Sequence, residues 1–209
     1  MKHSVVNRDR SEYTTDIWLI SHCESIHQQT GRFQRGDVPL SPMGQKQASK
    51  LAKTLSLANR FVALYTSPLK RAIETATYIK TPLHIEVDMI KDLREIDFGL
   101  AEGFTVDEFR QNFPDRGSMW DDHFNPDFQW PGGESRRDFH HRSLAAINAL
   151  VQAHQNDRII IVAHTGNLCG YLAHLFLGDA LRWREYPLQP ASISRVKVDL
   201  NETHLFFIK

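Results

Sequence analysis

Two histidines in this chain stand close behind short apolar runs, and an arginine stands behind a third. The runs are DIWLI (16–20), FVALYT (61–66) and IIIVA (159–163); the residues are His22, Arg71 and His164. Imidazole can act near neutrality as a nucleophile or proton carrier. Guanidinium is a permanent cation whose planar fork matches a pair of anionic oxygens. One histidine at a strand end is ordinarily a hydrogen-bonded structural residue. Two, with an arginine after a third strand, are the makings of a site, because sites in open α/β sheets gather beyond the carboxyl ends of the strands.

Those side chains need a sheet to hold them and helices to cover it. Ser41-Pro42 is a good helix start, with apolar or small residues at 48, 51, 52 and 55 for its buried stripe. A helix is expected over 69–79, ended near Pro82, then a brief strand over 84–87. The clearest helix spans 134–154, with Phe139, Ala146, Ile147, Leu150 and Val151 on one face. The branched run 159–163 implies a central strand buried on both faces. Another helix follows over 167–177, and the runs 193–198 and 204–208 flank a turn at Asn201 as a terminal hairpin. This alternation predicts an α/β three-layer sandwich, a mostly parallel central sheet with helices on both faces. The stretch 114–133 lacks a clean period but carries Trp120, Phe124 and Trp130. It reads either as a surface loop pinned by its aromatics or as a segment that shapes a substrate site.

Of 209 residues, 25 are basic and 25 acidic, a net charge of zero that provides no global field for nucleic acid or acidic lipid. No apolar run approaches the ~20 residues of a membrane span. Residues 1–15 read as a flexible polar tail without a secretory core, and 16–209 as a single domain. Two cysteines, Cys23 and Cys169, cannot make a disulfide framework, so a reducing cytoplasm is the expected compartment. No nucleic-acid or membrane partner is expected. The terminal hairpin offers an edge strand through which a homodimer can pair.

Ser21-His22-Cys23-Glu24-Ser25, directly after Leu19-Ile20, resembles the Arg-His-Gly-Glu/Gln-Ser/Thr signature of the histidine phosphatase superfamily, which includes the phosphoglycerate mutases. Asp37-Val38-Pro39-Leu40-Ser41-Pro42-Met43-Gly44 is similar to its Asp-x-Pro-Leu-Ser/Thr-x-x-Gly. Ser67-Pro68-Leu69-Lys70-Arg71-Ala72 with Thr75-Ala76, then Leu93-Arg94-Glu95-Ile96-Asp97-Phe98-Gly99 with Glu102-Gly103, resemble its next two motifs. Pro131-Gly132-Gly133-Glu134-Ser135 and Val162-Ala163-His164 complete the series in the family's order.

That resemblance implies a phosphoglycerate mutase-like fold and a phosphatase that hydrolyses a small phosphate monoester through phosphohistidine on His22. Arg71 would grip phosphate oxygens. His164, as imidazolium or neutral donor, would stabilise the transferring group, and Glu95 would protonate the leaving alkoxide and then activate water. Residue types alone would make Glu95 an ion-pair partner of Arg94 or Lys91. Ser21, Ser25, Gln34 and Thr165 are implied by position as phosphate or substrate contacts. Neither metal nor cofactor is implied, since protein cations serve the phosphate. The short chain and the sequence Ile96-Asp97-Phe98-Gly99 after Glu95 favour a phosphatase over a mutase.

The chain also departs from the pattern. Ser21 replaces the family's arginine and Cys23 its glycine, Thr165 precedes Gly166 after His164, and Cys169 stands where an arginine is common. Each hydrogen bond to a charged group contributes roughly 1.5–3 kcal/mol. A lost two-pronged grip therefore slows turnover by about two to four orders of magnitude unless another cation fills in. Arg32 and Arg35 are the nearest in sequence. A second reading is thus an impaired member that binds a phosphorylated ligand or a protein partner. A third is a metal site from His22, Cys23, His164 and Cys169, and a disulfide between the two thiols is also open. The loop 28–37 and the segment 114–133 are expected to recognise the group behind the phosphate. The aromatics and acids of the latter (Asp115, Asp121, Asp122) would suit a polar or amine-bearing substrate.

Overall fold

The branched runs form the centre of a six-stranded sheet with order β3-β2-β4-β1-β5-β6. The computed structural model describes residues 14–198 other than 35, 37 and 59, with the backbone of 203–208. β1 (Thr15–Ser21) and β2 (Ala63–Thr66) lie parallel on either side of β4 (Arg158–Ala163), and β3 (Val87–Met89) adds parallel to β2. β5 (Ile193–Val198) pairs antiparallel with β1 and with β6 (Thr203–Ile208), the expected hairpin.

Period-two alternation sends adjacent side chains of β1 and β4 to opposite helical layers. Trp18, Ile20, Ile160 and Val162 face α2 (Pro42–Ser56) and α3 (Lys70–Leu83), packing with Leu51, Leu55, Ala76 and Ile79. Ile17, Leu19, Ile159 and Ile161 face α6 (Arg136–Ala153) and α7 (Thr165–Leu177), packing with Ile147, Leu150, Leu168 and Leu172. The three-layer sandwich is therefore as the sequence predicts. Its two cysteines are split by the sheet, Cys23 in the first layer and Cys169 in the second. Both are free and buried, which removes the disulfide.

The remaining elements are α1 (Ile26–Gln29), α4 (Val106–Asn112) and α5 (Pro114–Asp121). Three expectations need correction. The segment 114–133 opens with a helix, since Pro114 occupies the first turn where its missing N–H is harmless. Phe128 and Trp130 from the same segment are buried in a third aromatic cluster with Phe109. α3 runs through Pro82, because proline in the final turn removes little, and ends at His84 in the left-handed region (φ 53). This pushes β3 to 87–89, beyond the expected 84–87. Thr15, read as tail, opens β1 and is buried; residues 1–13 lie outside the described residues. No helix of the described residues is long and apolar enough to cross a membrane.

Candidate active site

β1, β2 and β4 end side by side, and their carboxyl ends deliver the reactive groups. His22 follows β1, Ser67 follows β2 with Arg71 in the first turn of α3, and His164 caps the start of α7 after β4. Ser67, Arg71 and His164 are fully enclosed, and His22 is 2% exposed. The two imidazoles meet edge to face with ring centres 5.0 Å apart.

Hydrogen bonds decide the His22 tautomer. Its Nδ1 lies 2.7 Å from the Cys23 carbonyl oxygen, which can only accept. Its Nε2 lies 3.2 Å from Arg71 Nε, which can only donate. Nδ1 therefore carries the proton and Nε2 presents a lone pair beside a guanidinium. Burial, reinforced by the Arg71 charge, holds the His22 pKa down at about 3, against the opposing pull of the Cys23 carbonyl. The ring is therefore neutral throughout the physiological range, with its Nε2 lone pair available. Thr75 fixes this corner, its hydroxyl accepting from Cys23 N–H at 3.0 Å and donating to the Arg71 carbonyl at 2.8 Å.

His164 is set by Ser67. The Ser67 hydroxyl accepts from Leu69 N–H at 3.2 Å and shares a hydrogen bond of 2.7 Å with His164 Nε2. His164 Nδ1 is buried without a partner among the described residues. Burial first, then Arg71, His22 and Arg142, push the His164 pKa well below the ordinary value, so the ring is neutral. Arg71 is itself lowered to about 10 by burial, opposed by Glu95 and Glu102. It remains a cation at neutral pH.

Glu95 sits on a loop held by Arg142 of α6, which donates to the carbonyls of Asp92, Arg94 and Glu95 and pairs with Glu134 at 2.7 Å. Glu95 is therefore not paired with Lys91 or Arg94; Arg94 lies 3.9 Å from Asp92 instead. Gly166 lacks a Cβ, and one there would collide with Glu95 Oε1, so this glycine lets the carboxyl pack against the start of α7. Burial raises the Glu95 pKa, opposed by Arg71 and by hydrogen bonds from the Ile96 and Gly166 backbone.

The flanking candidates divide. Ser21 and Thr165 hydroxyls lie 3.5 Å apart at the ends of β1 and β4, so two departures from the family pattern touch each other. Ser25 instead caps α1 and donates to Gln34 at 2.7 Å, away from the imidazoles. Gln34 lines a cavity of about 180 Å³ that also reaches Glu95. Arg32 is committed to Glu108 at 2.8 Å and to the Gly103 carbonyl, so it does not replace the missing arginine. Arg35 lies outside the described residues. Ser67, Thr75 and Arg142 had no role in the sequence reading. Ser67 and Thr75 are nevertheless fixed points of the Arg71 motif.

The family model described as the histidine phosphatase superfamily (branch 1) matches residues 17–208. The chain belongs to that superfamily. This histidine phosphatase is 31% identical over 183 residues to phosphoserine phosphatase 1 of Hydrogenobacter thermophilus, covering 87% of this chain and 85% of the relative. It is 36% identical over 157 residues to a metal-independent phosphoserine phosphatase of Arabidopsis thaliana, 74% of this chain and 66% of the relative. Its fold superposes on the α-ribazole phosphatase of Shigella flexneri with a TM-score of 0.84 at 25% identity, covering 92% and 95% of the two chains. The enzyme is a phosphoric monoester hydrolase of this family.

The metal alternative is not supported by placement. Among its described residues the histidine phosphatase holds no group of three His, Cys, Asp or Glu side chains able to bind an ion, and the sheet separates the two thiols. Burial pushes both thiols up to about 12, so neither is a reactive thiolate.

Proposed function

We propose that this enzyme hydrolyses small phosphate monoesters through a phosphohistidine on His22. The observation that carries the reading is the tautomer, with Nδ1–H tied to the Cys23 carbonyl and the Nε2 lone pair beside Arg71. Nε2 attacks phosphorus and forms the P–N bond while the ester P–O bond breaks. Protonated Glu95 gives its proton to the departing alkoxide, so the alcohol leaves neutral. Water then attacks the phosphohistidine, the Glu95 carboxylate takes its proton, and the P–N bond breaks to release phosphate and restore both residues. Arg71 moves from Nε2 onto the equatorial oxygens, His164 Nδ1–H donates to another, and the Ser21 and Thr165 hydroxyls offer neutral hydrogen bonds at the position of the missing guanidinium.

The second reading, a phosphate binder with little turnover, rests on Ser21, because Arg32 is occupied elsewhere. An assay of alkyl and nitrophenyl phosphates, with and without chelator, separates the two. Our reading expects chelator-indifferent turnover in the wild type. Turnover gained only in Ser21→Arg would instead establish the binder. The same assay reads Glu95. Its pKa is raised and its acid form is needed for the first step, so kcat/KM for alkyl esters falls as pH rises through that pKa. Correction for the substrate's own ionisation near roughly 6 isolates this limb. Glu95→Gln removes the limb and costs alkyl esters ~10²–10⁴-fold. Nitrophenyl phosphate, whose leaving group needs no proton, loses far less. Equal losses on both ester types would remove Glu95 as the acid.

A further inference from the structure

Beyond Glu95 and the Thr165-Gly166 turn lies a cavity of about 320 Å³ whose walls include Phe33, Ile96, Phe98, Trp120, Trp130 and Phe139. We propose that this cavity receives the alcohol part of the substrate, and that it selects an uncharged aromatic or branched alkyl group rather than an amino acid. The proposal rests on the phosphatase reading above, which places the leaving oxygen at Glu95.

The argument is one of charge as well as shape. The aromatic wall is a rigid assembly. Phe33 stacks on Phe98 at 5.1 Å and meets Trp130 edge-on at 4.8 Å, and Trp130 meets Phe98 at 4.9 Å. Such a wall favours apolar area and offers an incoming ring edge-to-face partners. The polar groups on the lining are already engaged or uncharged. Arg136 donates to the carbonyls of Trp120, Asp122 and Asn125 and lies over the Phe128 ring at 4.6 Å. Arg184, exposed at the mouth, is bonded to His123 and stacked over Trp183 at 5.1 Å. Burial, aided by Arg136 and Arg142 and opposed by Asp179, holds His140 down at about 4, so it is neutral. Among the described residues Glu95 is the one acid of this lining, and on the proposed mechanism it is committed to the leaving oxygen.

A substrate ammonium would therefore enter beside two guanidinium groups with no carboxylate of the described lining other than Glu95 to meet it, and desolvating it unpaired is unfavourable. On this proposal Asp115, Asp121 and Asp122 do not serve as the amine contacts the sequence suggested. Asp121 pairs with Arg110 at 2.8 Å, Asp122 accepts from Phe124 N–H, and none of the three lines the cavity.

The test compares two primary alkyl phosphates of similar leaving ability, 2-phenylethyl phosphate and phosphoserine. Wild-type kcat/KM should favour the phenylethyl ester by ~10- to 100-fold, the value of burying one phenyl group. Trp120→Ala should reduce that ratio about tenfold. If phosphoserine is turned over as well as the phenylethyl ester or better, the proposal is wrong. Calorimetry with the non-hydrolysable 3-phenylpropylphosphonate and 2-amino-4-phosphonobutanoate supplies an independent arm. Tighter binding of the phenyl compound by a protein that turns over no ester would uphold the pocket and overturn the catalytic reading. Equal binding of both would overturn the pocket, whatever the turnover.

Discussion

His22→Ala lowers kcat/KM for every phosphate ester by at least about four orders of magnitude, because it removes the atom that forms the covalent bond. The size follows from the geometry. Among the described residues no other imidazole is hydrogen-bonded to the Arg71 guanidinium, and His164 Nε2 is held by Ser67 at 2.7 Å. The fold should survive, because among the described residues the His22 side chain bonds only the Cys23 carbonyl and Arg71 and lies outside the apolar clusters, while its backbone bonds to Ala163 and Ala191 are kept in the variant. The informative companion is rescue: imidazole added to His22→Ala, entering the vacated space, should restore a measurable part of the turnover. A variant that keeps more than a hundredth of wild-type activity would mean that water or another residue attacks phosphorus directly.

Arg71→Ala comes second in expected effect, at ~10²–10⁴-fold in kcat/KM, the worth of two charge-assisted hydrogen bonds at about 1.5–3 kcal/mol each. Because the resemblance puts a second guanidinium where Ser21 stands, the proposed mechanism leans on Arg71 heavily. Arg71→Lys keeps the charge and loses the planar fork, so it should recover only part of the deficit. Both losses should fall mainly on kcat, since the fork matches the transferring phosphoryl group, and a steady-state KM-against-kcat comparison checks this. Full activity in Arg71→Lys would show that charge alone is required. The Arg71 pKa of about 10 leaves the cation intact through neutral pH, so no loss from its titration is expected below pH 9.

The parts of this molecule that sequence revealed are those set by local patterns. IIIVA is buried on both faces because five apolar residues in a row satisfy two layers at once, and it is the strand on which the parallel sheet is built. His22, Arg71 and His164 were legible because a strand end fixes where the next few residues stand. What escaped depends on contacts distant in the chain. Arg142 supports the Glu95 loop from 47 residues away, and nothing around it in sequence distinguishes it from its neighbours Arg136 and Arg137. Trp120, Phe128 and Trp130 of 114–133 showed no period because they serve a cluster with Phe33 and Phe109 rather than one face of a helix, while Phe124 stays exposed. The disulfide and shared metal site left open for the two thiols fail for the same reason. Proximity to histidines in sequence says nothing about which side of the sheet a side chain takes, and Cys23 and Cys169 take opposite sides.

The central claim is covalent and can be observed directly. Enzyme mixed with substrate for milliseconds, quenched in alkali to preserve phosphohistidine, and digested for mass spectrometry should carry one phosphoryl group on His22. That group should disappear on the timescale of turnover and be absent from His22→Ala. Steady turnover with no phosphoryl group on His22 at any quench time, under conditions where a reference phosphohistidine survives, would contradict the account.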